Sequence, residues 1–120
     1  MLSYLGIGAP DVAPELLANL ALHGSEDVRL RIAERRSISP ALLDILANDP
    51  SPEVRASVSG NPQASEKLLL KLCRDPNADV RFLMAENHKL PERILKILES
   101  DPNRYVQSRA RVTIENLRGS

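Results

Sequence analysis

One dipeptide recurs on a fixed step and constrains what this chain can fold into. Val28-Arg29, Val54-Arg55 and Val80-Arg81 stand 26 residues apart, and one further step lands on Val106, followed by Gln107. Other columns keep the same step. Asp49-Pro50, Asp75-Pro76 and Asp101-Pro102 open the units; Leu43, Leu69 and Leu95 align, as do Leu46, Leu72 and Leu98. Stepping back by one period gives Leu17 and Leu20. Several independent columns on one period are the signature of a repeat array, in which each unit is a supersecondary piece that buries its apolar face against its neighbours. The period divides the chain into a half-repeat (1–22), three repeats (23–48, 49–74 and 75–100) and a terminal capping helix (101–118), all within a single helical-repeat domain of 120 residues.

Each unit reads as two helical pieces. The first follows the Asp-Pro, where Asp offers a cap acceptor and Pro is tolerated in a first turn because its missing N–H has no helical partner anyway. Val80 and Met84, four apart, share a face. This piece spans roughly two to three turns, and a partly 3₁₀ character is expected. Asn61-Pro62 and Asn87 close it, since Asn tolerates the left-handed conformation that ends a helix; Arg35 at the matching position is a poorer stop. The second piece is capped by Ser39, with Pro40 at the first helical position and Ile38 placed as a staple on Leu43. Leu42, Leu43 and Leu46 then form one apolar face.

Composition supports a thin, aliphatic core. Aromatic residues make up 2% of the chain and Trp is absent. A globular core of this size usually leans on bulky aromatics. Acidic and basic residues balance at 16 each, which removes the global basic signal of a nucleic-acid or anionic-lipid binder. The balance is uneven along the chain: residues 1–27 hold four acids and no Lys or Arg, whereas 104–118 hold Arg104, Arg109, Arg111 and Arg118 against Glu115 alone. Cys73 is the one cysteine, so an internal disulfide is excluded and a multi-thiolate metal site cannot form. No apolar run approaches the roughly 20 residues of a membrane-spanning helix, and the start lacks the basic segment of a secretory signal. A cytoplasmic protein without a membrane partner is the expectation.

The run Asp49-Pro50-Ser51-Pro52-Glu53-Val54-Arg55, through Asn61-Pro62 to Leu68-Leu69, resembles the leucine-rich repeat variant family, a relative in style of HEAT repeats. The resemblance covers about residues 12–110. It implies an all-α fold: a right-handed α-solenoid of about four 26-residue repeats, each an α-helix paired with a 3₁₀ or short α helix. It further implies a family common in bacteria whose inferred role is macromolecular interaction. One type of member carries an added cysteine cluster that holds an iron–sulfur centre. With Cys73 alone, that group is not carried over, and no cofactor is expected. Two departures fall at the ends of the array: His23-Gly24 where later units have Asp-Pro, and Gln107 in place of Arg.

The candidate functional residues divide by column. Arg29, Arg55 and Arg81 form one basic column, each following a core Val and each with a matching Asp (Asp49, Asp75 or Asp101). A structural Asp–Arg ladder between stacked units is the expected role, in preference to phosphate binding. Arg35 and Arg36, with Arg31 on the same helical turn, depart from the Asn-Pro consensus and form a basic cluster; it is either a partner contact or a solvated loop flanked by Glu34. Leu70 stands in the column of Asp44 and Lys96, and Leu83 in that of Arg31, Ser57 and Arg109. Leucines in polar columns suggest a protein-contact patch, although Lys71 in the Ile45/Ile97 column points instead to a local rotation of that helix. His23 and His88 lack nearby co-ligands and read as surface residues. Val106, Ala110, Ile114 and Leu117 lay an apolar stripe on a longer terminal helix, as a cap should. Leu2, Tyr4, Leu5 and Ile7 are an apolar strip for the stack or a partner.

No phosphate loop, nucleophile elbow or metal-ligand spacing is present. The chain reads as a non-enzymatic protein–protein interaction module or small scaffold whose partner is another protein or a second copy, with no small-molecule substrate. The alternative is a nucleic-acid-binding HEAT-like protein using its Arg clusters on phosphates, opposed by zero net charge and the lack of stacking aromatics.

Overall fold

The computed structural model describes residues 12–119. The strip of Leu2, Tyr4, Leu5 and Ile7 lies outside the described residues. Among those described, every regular element is an α-helix: α1 (Pro14–His23), α2 (Glu26–Ala33), α3 (Pro40–Leu46), α4 (Pro52–Ser59), α5 (Glu66–Leu72), α6 (Ala78–Glu86), α7 (Glu92–Glu99) and α8 (Arg104–Arg118). They form two compact units, α1–α4 up to Ser65 and α5–α8 from Glu66. The division passes between the two helices of the 49–74 repeat.

In the first unit, α1 packs on α2 and α3, α2 on α4, and α3 on α4. Contacts between helices two apart follow from the repeat, because neither helix of a unit buries its apolar face alone. Leu17, Ala21, Ile32, Leu42, Leu43, Leu46, Val54 and Val58 are buried, each large aliphatic side chain contributing about 1.5–3 kcal/mol. In the second unit, α8 packs on both α6 and α7. The buried set is Leu68, Leu69, Leu72, Val80, Met84, Ile94, Leu95, Leu98, Val106, Ala110 and Ile114. The leucine columns and the Val column therefore form the core from Leu43, Leu46 and Val54 onward, with Leu17 also buried; Leu20 and Val28, their first members, are half-buried. Leu117, placed in the stripe of the cap by its spacing, is 40% exposed; Thr113 is buried beside Ile114 instead.

Three local expectations are corrected. The Asp of each Asp-Pro does not cap the helix. Its Oδ1 accepts the N–H two residues on: Ser51 at 2.9 Å from Asp49, Asn77 at 2.9 Å from Asp75, and Asn103 at 2.8 Å from Asp101. This is an Asx turn, with Pro in the middle because it has no N–H to satisfy. The caps are the residues those turns deliver. Ser51 accepts from Val54, Asn77 from Asp79, and Asn103 from Tyr105 and Val106, with Ser25 accepting from Val28 in the first repeat.

Secondly, the first helices are α-helical. Bonds of 3₁₀ register occur at helix ends, as in Asn61 N–H to Val58 O at 3.1 Å, because the last turn tightens where its carbonyls lose partners. Thirdly, Asn61 and Asn87 do not adopt the left-handed conformation; no described residue has positive φ. Each Asn instead accepts at Oδ1 the N–H two residues on, Gln63 at 2.8 Å and Lys89 at 2.9 Å. The side chain turns the chain where a left-handed backbone was expected.

The first repeat departs at His23. Without the Asp of that column there is no Asx turn, and α1 continues to His23. Gly24 then carries the chain straight into the cap of α2. Its N–H donates to Leu20 O at 2.8 Å, and a Cβ there would stand 2.5 Å from that carbonyl and 2.9 Å from Val28 Cγ1.

Candidate functional site

The Arg–Asp column is built into the core. Arg29 Nε donates to Asp49 Oδ2 at 2.8 Å and Nη2 to Oδ1 at 3.1 Å, with the carboxylate side chain 3% exposed. Arg81 repeats the geometry on Asp101, at 2.8 and 3.4 Å. The third guanidinium nitrogen is used as well. Nη1 donates to a main-chain carbonyl: Gly24 O from Arg29, Asp49 O from Arg55 and Asp75 O from Arg81. One Asp thus shapes its own turn through Oδ1, holds the preceding Arg with both oxygens, and offers its carbonyl to the following Arg. The planar fork of Arg makes this possible; Lys has a single nitrogen to offer. The hydrogen bond that Arg29 donates to Asp49, reinforced by the carboxylate's charge and opposed by burial, holds Arg29 above its ordinary pKa. Arg29 and Arg81 thus direct these donors to carboxylates and carbonyls of the chain itself.

A second polar column was not recognised in the sequence. Asn61 Nδ2 donates to Ala33 O and Arg35 O, both at 2.8 Å. Thr113 Oγ1 donates to Ala85 O at 2.6 Å. The bonds to Ala33 O and Ala85 O reach back 28 residues, and that to Arg35 O 26, to the end of the first helix one repeat earlier or just past it, where they satisfy carbonyls. The column Arg35, Asn61, Asn87, Thr113 was visible, but its residues changed chemistry from repeat to repeat. What they share is a donor near Cβ or beyond it.

The remaining candidates separate. Arg31 is exposed and pairs with Asp27 at 3.3 Å on its own helix. Arg36 is exposed, whereas Arg35 is buried, with 9% accessibility. The basic cluster therefore offers two exposed guanidinium groups, not three. His23 is exposed. Leu83 is 49% exposed on α6, while Leu70 is half-buried and Lys71 exposed. In α3 the corresponding Asp44 is exposed and Ile45 half-buried, so burial has moved by one position in α5. Cys73 is buried, its thiol donating to Leu70 O at 3.1 Å; burial pushes its pKa up, partly offset by Arg74.

Two concave sites collect titratable side chains; one, of about 360 Å³, lies against the ladder at Cys73, Arg74, Asp75, Arg81 and Asp101. A cleft of about 240 Å³ lies between the end of α6 and the second half of α8, lined by Glu86, His88, Arg109, Thr113, Asn116 and Leu117. It exists because α8 runs on through columns in which α2, α4 and α6 have ended. Ile114 stands where Asn61 is followed by Pro62, so the helix meets no breaker. Arg109 Nε is buried with no hydrogen-bond partner among the described residues. A buried donor without an acceptor costs about 1–3 kcal/mol. Neither Glu86 nor His88 takes part in an ion pair among the described residues. No group of three His, Cys, Asp or Glu among the described residues is placed to hold a metal ion. None of their helices is long and apolar enough to cross a membrane.

No family model matches the chain, and comparisons with curated proteins and with solved structures return no match.

Proposed function

We propose that the protein is a non-enzymatic interaction module of the HEAT-like kind, similar to the leucine-rich repeat variant family, with its repeats wound as a right-handed solenoid and a protein as its partner. The observation that carries this reading is Leu83. The core and ladder columns hold their residues from repeat to repeat, yet this exposed column changes from Arg31 and Ser57 to a 49% exposed leucine. Tyr105, 70% exposed, adds a second apolar side chain on α8, which packs on the same helix. Isolated exposed leucines are ordinary; a deviation from a polar column, with an exposed tyrosine on the helix packed against it, is the kind of anchor that interfaces use. Commitment of Arg29 and Arg81 to carboxylates and carbonyls weighs against a phosphate-binding ladder, and a cytoplasmic setting suits the reduced Cys73.

The test is affinity capture from lysate of the source cell with and without nuclease, wild type against Leu83→Arg. A discrete protein retained after nuclease and lost with Leu83→Arg supports the proposal. Capture that disappears with nuclease replaces it with nucleic-acid binding through Arg31, Arg36 and the arginines of α8, whose affinity would fall steeply with salt.

A further inference from the structure

We infer that the outward face of α6 and α8 is a twofold interface between two copies of this chain. The inference rests on the interaction reading and names the partner as a second copy. Its first ground is a change along the repeat columns. One outward column holds Asp27, Glu53 and Asp79, the next Arg31 and Ser57, and a third Glu34, Gly60 and Glu86. In the last two first helices apolar side chains take these columns over: Leu83 on α6, then Tyr105 and Val112 on α8. All three are exposed. Tyr105 and Val112, seven apart, share a face of α8, and Leu83 lies on the stripe of Asp79 and Glu86. The two helices pack on each other, start from the same Asx turn, and are in register at the end of α6, where Thr113 donates to Ala85 O. The three side chains therefore belong to one surface of the second unit.

The second ground is charge. The exposed charges beside Leu83 on α6 are Asp79 and Glu86, both acidic; those beside Tyr105 and Val112 on α8 are Arg104 and Arg111, both basic. Asp79, Glu86 and Arg104 take part in no ion pair among the described residues, and Arg111 reaches Glu99 only at 3.9 Å. An acidic helix beside a basic one, with apolar side chains on both, is self-complementary under a twofold axis running along the helices. Each α6 then lies over the α8 of the other copy, and every contact is made twice. Leu83 enters between Tyr105 and Val112 of the second copy, while Asp79 and Glu86 face its Arg104 and Arg111. Laying α6 on α6 would set acid against acid. The apolar contacts supply affinity, and the exposed charges fix the orientation. So few apolar side chains make a small interface, of the weak and reversible class.

The experiment is sedimentation equilibrium of the purified full chain over a concentration series up to millimolar. The expected result is a reversible monomer–dimer equilibrium, weakened at least about tenfold by Leu83→Arg, the scale of an interface hot spot. Two charge-reversed variants test the symmetry: Asp79→Lys with Glu86→Lys, and Arg104→Glu with Arg111→Glu. Each alone should be monomeric where the wild type dimerises, and an equimolar mixture should dimerise again, because opposite charges then meet at both halves of the interface. Circular dichroism reports that every variant keeps its helices. A wild type that stays monomeric at millimolar concentration, association unaffected by Leu83→Arg, or a mixture that stays monomeric would overturn the inference. If the monomeric chain still captures a different protein through Leu83, the interaction reading stands and the second copy alone is rejected; a monomer without Leu83-dependent capture removes both.

Discussion

At the residue scale the decisive groups are polar and buried. Asp101 is 4% exposed at its side chain and relies on Arg81 to hold its charge in the core. Arg81→Leu leaves that carboxylate uncompensated, and we expect a loss of about 3–5 kcal/mol, read as a lower midpoint in urea unfolding. A change within experimental error would mean the pair is not what holds this turn. Cys73 gives a prediction with a pH sign. Burial raises its thiol above the ordinary 9.0, so the folded state keeps the proton more tightly than the unfolded chain. The associated stability is fully present below pH 9.0 and is lost as pH rises toward the folded value. Melting temperatures of wild type and Cys73→Ala, compared from neutral pH upward, should converge toward the alkaline end. The thiol should also resist a disulfide reagent until the chain is unfolded.

At the scale of elements, the turns decide the register of the helices. Three of the four first helices are set up by an Asx turn from Asp49, Asp75 or Asp101; α2 is set up by Gly24. Gly24→Ala would drive a Cβ into Leu20 O and Val28, and overpacking of this kind costs about 1–3 kcal/mol. Gly60 offers the internal control. Its φ is −88° and a Cβ there would lie 3.6 Å from Ser57 O, an ordinary contact. Gly60→Ala should be neutral or raise stability by about 0.4–1 kcal/mol, because the unfolded chain loses freedom. Thermal unfolding of the two variants side by side tests whether tight approach or glycine's flexibility is the cause.

At the scale of the molecule, the terminal helix carries the second unit. Val106, Ala110, Thr113 and Ile114 on α8 are buried and cover the apolar faces of α6 and α7. A chain ending after Pro102 exposes Val80, Met84, Ile94 and Leu98, and uncapped repeat faces associate. We expect such a truncation to lose helical signal beyond the residues removed and to sediment as aggregate. A monomeric truncation with intact residual helicity would show that the cap is dispensable. The same extension of α8 forms the cleft, so cap and candidate site arise from one departure: the helix continues where its predecessors turn.

Much of this was legible in the chain itself. The 26-residue step, the leucine and Val columns, the Ser39 and Pro40 start of α3 and the long final helix follow from periodicity and capping chemistry, which are local. The Asp–Arg pairing was legible because two complementary columns kept one offset. What the sequence did not yield depends on where a side chain reaches. Asp in an Asp-Pro is as good a cap as it is a turn former, and the choice lies with Ser51, Asn77 and Asn103 two residues on. Asn61 and Thr113 look unrelated until both are seen to meet a carbonyl 28 residues back. Arg35 and Arg36 are adjacent in sequence, yet one is buried and the other solvated. Arg109 lies half-buried, like Ser57, in a column where Arg31 and Leu83 are exposed. Periodicity along the chain determined the helices and their core; side-chain bonds to the N–H two residues on decided the turns, and distances between residues far apart in sequence decided the carbonyl partners and the cleft, because hydrogen bonds and burial are satisfied in space.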